Sequence, residues 1–268
     1  MSHQLHGKLY GNRLLVSTAE LHQETATKHG FLLIDKPAGI TSHDVVDRVR
    51  RLTGERRVGH AGTLDPFATG LLIVGVGRVA TREMEKLVGL DKTYEAVFVL
   101  GASSDTDDRT GVISPAPIRS DLQPITYYLQ PFLGDIQQIP PTYSAIKIGG
   151  KKMYEQARKG KPMEAKPRLV TIHSFEISPM GPIGPMMKLE AKISCSSGTY
   201  IRSIARDLGK ALGGGGYALE LRRTSIGPFS IQEAHPLTTL QTTDLIPVSE
   251  LLSRLLTNTL PDANLLSV

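Results

Sequence analysis

The stretch Gly59-His-Ala-Gly-Thr-Leu-Asp65-Pro-Phe-Ala-Thr-Gly70 sets one acidic residue in a glycine-rich segment that leads into the apolar run Leu71-Leu-Ile-Val-Gly-Val76. Residues 58–70 read as a loop and 71–76 as a strand behind it. Pro66 fixes its own φ and biases Leu64 and Asp65 toward extended geometry. A carboxylate held stiffly on a loop above a sheet is well placed for chemistry, whereas an Asp-Pro pair met alone more often caps a turn.

Upstream, Gly30-Phe-Leu-Leu-Ile-Asp-Lys-Pro37 is a short apolar run stopped by proline, which marks a buried strand. Residues 41–54 follow as a helix. Ser42 is the expected N-cap and Asp44 suits the first turn. Val45, Val46, Val49 and Leu52 share one face, and Gly54 suits the C-terminal end. Downstream, residues 94–101 alternate as a strand. Residues 187–195 alternate more cleanly, with Met187, Leu189, Ala191, Ile193 and Cys195 on one side. Ser196-Ser-Gly-Thr199 then turns into a helix whose buried stripe is Ile201, Ile204, Ala205 and Leu208. The four glycines 213–216 read as a flexible turn, and 248–256 as an amphipathic stretch. Strands arrive as hairpin-like neighbours rather than in regular βαβ order. The class is therefore α+β, a central mixed and mostly antiparallel sheet flanked by helices and loops.

The 268 residues are 40% hydrophobic, enough for one large domain or two small ones. Lys plus Arg exceed Asp plus Glu by 31 to 26, a balance of +5 that permits a polyanionic partner without demanding one. The excess is local. Residues 147–168 carry Lys147, Lys151, Lys152, Arg158, Lys159, Lys161, Lys166 and Arg168 against Glu155 and Glu164. That segment alone is +6, with Tyr154 inside it and Tyr143 just before it, and reads as an element that grips phosphates. The single cysteine, Cys195, excludes an intrachain disulfide and a cysteine-based zinc site, and fits a reducing cytoplasm. The histidines show no ligand spacing, so no metal is expected. No run reaches the roughly 18 apolar residues of a membrane span, and the polar N-terminus has no apolar signal core. Residues 1–29 read as a weakly ordered extension.

Six ordered motifs carry a resemblance. The Gly59–Gly70 stretch quoted above resembles the signature of the TruB family of tRNA pseudouridine-55 synthases. Leu33-Ile-Asp-Lys-Pro37 resembles the family's first strand motif, and Asp91-Lys-Thr-Tyr-Glu95 its tyrosine motif. The segment from Ile139 to Arg158 resembles its RNA-gripping insertion, placed at about 140–168. Ser197-Gly-Thr-Tyr-Ile-Arg-Ser-Ile-Ala-Arg-Asp-Leu-Gly209 resembles its second active-site motif, and Leu219-Glu-Leu-Arg-Arg-Thr224 follows. The likeness covers 30–247, which it implies is the catalytic domain, with 248–268 as a short tail too small for the RNA-binding PUA domain that family members usually carry.

The resemblance implies a fold, a reaction and roles. The reaction isomerises a uridine of the tRNA T loop, at position 55, on a flipped-out nucleotide. The uracil–ribose bond breaks, the base turns and it reattaches through carbon. Asp65 matches the nucleophile and Arg202 the arginine that pairs with it. Tyr94 matches the active-site tyrosine, whose ring stacks on the base and whose hydroxyl is a candidate for handling the carbon-bound proton. His60 matches a histidine that fills the space the nucleotide leaves. Lys36, Tyr200 and Leu221 match pocket positions, and Lys147, Lys151 and Lys152 lie in the gripping insertion. No cofactor and no obligate protein partner are implied, only the T stem-loop of tRNA, in the cytoplasm. Three other readings stand beside this one. Leu71-Leu-Ile-Val-Gly-Val-Gly-Arg-Val-Ala80 fits a strand followed by Gly-x-Gly-x-x-Ala, a dinucleotide-binding pattern, but no βαβ series follows it. The others are a non-catalytic RNA-binding module and a guide-RNA-dependent subunit.

Overall fold

The structure is a computed structural model describing residues 29–119, 124–183 and 186–257. The N-terminal extension up to residue 28 and the tail beyond 257 lie outside the described residues. Strand β1 (Gly30–Lys36) leads to helix α1 (Ser42–Thr53), the short β2 (Val58–Ala61) and β3 (Thr69–Val76). Next come β4 (Lys92–Leu100), β5 (Gly134–Gln138), β6 (Arg168–Ile183) and β7 (Met186–Cys195). Helix α2 (Ile201–Ala211), β8 (Gly216–Ile226) and helix α3 (Val248–Thr257) complete the frame.

The sheet runs β1-β3-β8-β4-β7-β6-β5, with β2 paired to β3. Every pairing among these strands is antiparallel except β3 with β8, where Arg222 sits opposite Thr69 and Arg223 opposite Gly70. The sheet is thus mixed and mostly antiparallel, as the hairpin-like order of the strands predicts. β1 is a continuous apolar run because both of its faces are covered. Leu32 and Ile34 join Val45, Val46 and Val49 of α1, while Phe31 and Leu33 join Leu251 of α3 on the other side. The alternation in β7 also holds: Leu189, Ala191, Ile193 and Cys195 pack against Ile201, Ile204, Ala205 and Leu208 of α2.

Four local expectations change. Helix α1 is capped by Thr41, not Ser42: Thr41 Oγ1 accepts from Asp44 N, and Asp44 Oδ2 accepts from Thr41 N. Ser42 lies inside the helix, buried, and grips the Asp65 loop instead, accepting from Leu64 N at 2.9 Å and donating to Leu64 O at 3.2 Å. Residues 58–70 are not all loop, since Val58–Ala61 pairs with β3 and β3 itself begins at Thr69. The glycines 213–216 form a packed turn, because a Cβ on Gly214 would lie 2.5 Å from Ala116 O and 2.7 Å from the Pro117 carbonyl carbon. Gly75 and Gly77 likewise serve packing. A Cβ on Gly75 would lie 2.6 Å from Met84 Cε, and one on Gly77 would strike the His29 ring. The helix after them, Gly77–Arg82, has six residues. That is too short for the crossover of a dinucleotide-binding unit.

Candidate active site

β2 and β3 form a hairpin-like pair whose connection, residues 62–68, is the loop that bears Asp65. Three anchors fix this loop. Ser42 holds Leu64 from one side. Lys36 Nζ donates to Ala68 O at 2.7 Å and to Pro66 O at 3.4 Å from beneath. Gly70, at φ +104°, lets β3 approach β8 so closely that any Cβ there would overlap the Arg223 backbone.

Asp65 and Arg202 are 137 residues apart in sequence and meet in space. Arg202 Nε donates to Asp65 Oδ2 at 2.8 Å, and Nη2 to Oδ1 at 3.1 Å. This is a two-point guanidinium–carboxylate pair, the geometry that fixes orientation as well as charge. Arg202 is only 3% exposed, whereas Asp65 is 33% exposed and open to the cavity beside it. The rest of the guanidinium is satisfied from behind. Nη1 donates to Thr106 O at 2.7 Å and Nη2 to Tyr143 O at 2.9 Å, and the Asp108 carboxylate lies 3.4 Å from Nη1.

The cavity has a volume of about 270 Å³ and is lined by Asp65, Tyr94, Tyr200, Arg202 and Leu221, with Lys92 and Arg223 among the rest of its wall. Five of the residues singled out from sequence therefore converge on one pocket. Tyr94 is 8% exposed. Burial pushes its phenol above the ordinary value, and the adjacent Arg223 guanidinium pulls the other way. The direction is upward, so the hydroxyl is neutral at pH 7. Tyr200 opens α2 and is held by the Gln138 side chain, which accepts from Tyr200 N at 2.8 Å and donates to Tyr200 O at 3.0 Å.

Lys36 and His60 lie outside the cavity wall. Lys36 is fully buried beneath the loop, where burial lowers its ammonium to about 8 and Asp65 opposes the shift. Its three acceptors, Pro37 O included, make it a brace for the backbone on either side of Asp65. Lys36→Met removes the 2.7 Å donor to Ala68 O and leaves Pro66 O with Gly39 N alone, at 2.7 Å, and is expected to cost about 1–3 kcal/mol. The folded pKa lies below the unfolded one, so between about pH 8 and 10.5 the unfolded chain binds more protons and wild-type stability gains with rising pH. Chemical denaturation below pH 8 and near pH 10 checks both points: the gap to the variant must widen at the higher pH. His60 is half-buried on β2, opposite Val74, with burial lowering its pKa and Nδ1 without a partner.

The three insertion lysines sit on a two-strand hairpin, Lys147–Ile148 with Lys151–Lys152, away from the cavity wall. Lys147 and Lys151 are exposed. Lys152 and Arg158 both lie 5.5 Å from the Tyr154 ring centre, a cation–ring stack that stiffens the element. Its root reaches the pocket through Ser144 and Ala145.

Two functional neighbours escaped the sequence reading. Arg223 is 1% exposed and donates to Leu71 O at 2.8 Å and Gly62 O at 3.0 Å, tying both ends of the Asp65 loop to β8. Lys92 shares the pocket face of β4 with Tyr94, and burial lowers it to about 8. A larger concavity of about 590 Å³ lies on the open face of the sheet. Glu95, Glu176 and Glu190 there alternate with Lys192 and Arg222 across the strands, which is the pattern of a solvated sheet face.

The profile described as "TruB family pseudouridylate synthase (N terminal domain)" matches residues 50–201, the span that carries Asp65 and ends beside Arg202. The chain belongs to the TruB family of pseudouridylate synthases. The profile of the "tRNA pseudouridylate synthase B C-terminal domain" matches residues 202–259, so family likeness extends past residue 247, where the resemblance read from sequence ends. The tRNA pseudouridine synthase B of Corynebacterium efficiens is 48% identical over 214 residues, covering 79% of this chain and 72% of that protein. Its counterpart in Thermobifida fusca is 47% identical over 218 residues, covering 76% and 72%. Among solved structures, an H/ACA RNP bound to a substrate RNA containing 2′-deoxyuridine holds a similar chain, with a TM-score of 0.58 and 27% identity. The likeness covers 81% of this TruB-family chain and spans about half of that one, 54%. The family and the fold agree with the sequence motifs. No helix among the described residues is long and apolar enough to cross a membrane.

Proposed function

We propose that this chain converts the uridine at position 55, in the T loop of tRNA, to pseudouridine, with Asp65 as the nucleophile. The observation that carries the reading is the two-point Asp65–Arg202 pair at the wall of a small cavity shared with Tyr94 and Leu221. At about 270 Å³ the cavity is below the usual range for whole drug-sized ligands and suits a single base. A base must leave its stack before its glycosidic bond can be reached, at a cost of a few kcal/mol. The buried Tyr94 ring offers the departing base a replacement stacking surface, with a neutral hydroxyl. Asp65, a third exposed beside the cavity and oriented by Arg202, acts on the flipped nucleotide: the N1–C1′ bond breaks, the base turns, C5 bonds to C1′ and the C5 proton leaves to solvent. The +6 segment 147–168 grips the phosphates of the stem-loop while its root at Ser144 and Ala145 borders the pocket. Catalysis takes place in the cytoplasm and needs no protein partner and no cofactor.

Release of tritium from tRNA carrying [5-³H]uridine tests the reading. The new bond to ribose forms at C5, so each isomerisation frees one tritium. Release is expected from purified protein alone, and is lost on a transcript with cytidine at position 55. No release would overturn the proposal, and release only when a guide RNA is added would point to the guide-dependent reading.

A further inference from the structure

Helix α2 carries a second arginine, Arg206, one turn beyond Arg202 on the same side. Arg202 rests on two carbonyls from two separate segments, Thr106 O and Tyr143 O. Arg206 binds the same two segments a few residues away. Its Nη1 donates to Asp107 Oδ2 at 2.8 Å and its Nη2 to Ile139 O at 2.9 Å. Nε and Nη2 also hold Asp207, at 2.8 and 3.1 Å, and Ser203 Oγ adds a second donor to Ile139 O at 2.9 Å. Asp107 is held in an unusual backbone state: it is the only non-glycine among the described residues at positive φ, +60°. Such a conformation is strained for a residue with a side chain and persists only where its surroundings enforce it. Its carbonyl accepts from Ala218 N at 3.0 Å, and its carboxylate meets Arg206. Neither Arg206 nor Asp107 lines the Asp65 cavity.

We propose that Arg206 and Asp107 form a positioning clamp for the isomerisation: by fixing the segments that supply Thr106 O and Tyr143 O, they set the angle at which Arg202 presents its fork to Asp65. The clamp rests on the proposed reaction for its kinetic role, but its geometric role is independent of it. Burial raises the pKa of the Asp107 carboxylate, and the Arg206 charge opposes that rise.

The test compares Arg206→Met, Asp107→Asn and the double variant. Each single change is expected to lower kcat for tritium release by about tenfold with KM and tRNA affinity within about twofold, because displacement of a catalytic group by about 1 Å costs up to 10²-fold. The double variant should be no slower than the worse single one, since the two act as a unit. In an Arg202→Lys background Arg206→Met should add almost nothing, as the fork it positions is gone. A brace that served stability alone would lower Tm with kcat unchanged, and a contact to RNA would raise Kd in parallel with the loss of activity; either result overturns the clamp. Solvent exchange of the Arg202 Nε–H, followed by NMR, reads the geometry without turnover. It should quicken at least about tenfold in Arg206→Met while the α2 backbone amides keep their protection. An unchanged Arg202 Nε–H rejects the clamp, whereas absent tritium release from wild type with a quickened Nε–H rejects the reaction and leaves the clamp standing.

Discussion

Asp65→Ala is expected to bind tRNA with nearly wild-type affinity and to release less than about one per cent of the wild-type tritium, a loss of at least about 2.7 kcal/mol of barrier lowering. Affinity survives because the basic charge proposed to grip phosphates lies elsewhere, on residues 147–168. The fold survives because the loop does not hang on this side chain. Ser42 holds Leu64, Lys36 holds Pro66 and Ala68, and Arg223 holds Gly62 and Leu71. Removing one carboxylate also leaves Arg202 with partners, the carbonyls of Thr106 and Tyr143 and the Asp108 carboxylate. A buried guanidinium stripped of every partner would cost several kcal/mol, so Asp108 matters to the interpretation of the variant. Filter binding, thermal melting and tritium release on the same preparation decide the matter. Turnover of a tenth of wild type or more would remove Asp65 from the role of nucleophile.

The frame of the protein is legible in local pattern, and the site is not. β1 and β7 follow from a continuous apolar run and from strict alternation, because those signals depend only on which faces are covered. The α2 stripe follows from helical spacing. The pairing of Asp65 with Arg202 follows from no local pattern at all, since 137 residues separate them and only the resemblance of two motifs linked them. Arg223 shows the same limit more sharply. In sequence it stands beside Arg222 as one of two adjacent basic residues. In the fold Arg222 pairs with the half-exposed Asp35, while Arg223 points to the other face and is buried against the Asp65 loop. Strand register decides which of two neighbouring arginines becomes structural, and register is a property of the sheet. Ser42 and Thr41 were exchanged for a related reason. Both are good caps, and the choice was made by Leu64, a residue 22 positions away that needed the serine hydroxyl.

Arg202→Lys is expected to lower kcat by about 10²-fold or more, with KM for tRNA little changed and the fold retained. Lysine keeps the charge, so any explanation of the loss through charge alone is removed by this variant. What it lacks is geometry. Arg202 makes four hydrogen bonds in one plane: two to the Asp65 oxygens and one each to the carbonyls of Thr106 and Tyr143. A single ammonium on a flexible stem has three donors radiating from one atom and cannot span both carboxylate oxygens while reaching two carbonyls on opposite sides. Asp65 then keeps an attractive neighbour and loses its orientation, and its attack angle widens into a distribution. The stability cost is smaller than for alanine, because a cation remains beside Asp65 and Asp108. Single-turnover tritium release separates chemistry from binding and product release. If the arginine only balances charge, Arg202→Lys will run within a few-fold of wild type in that assay. If the fork sets the angle of the nucleophile, the chemical step itself will slow by the full factor while the tRNA dissociation constant stays where it was.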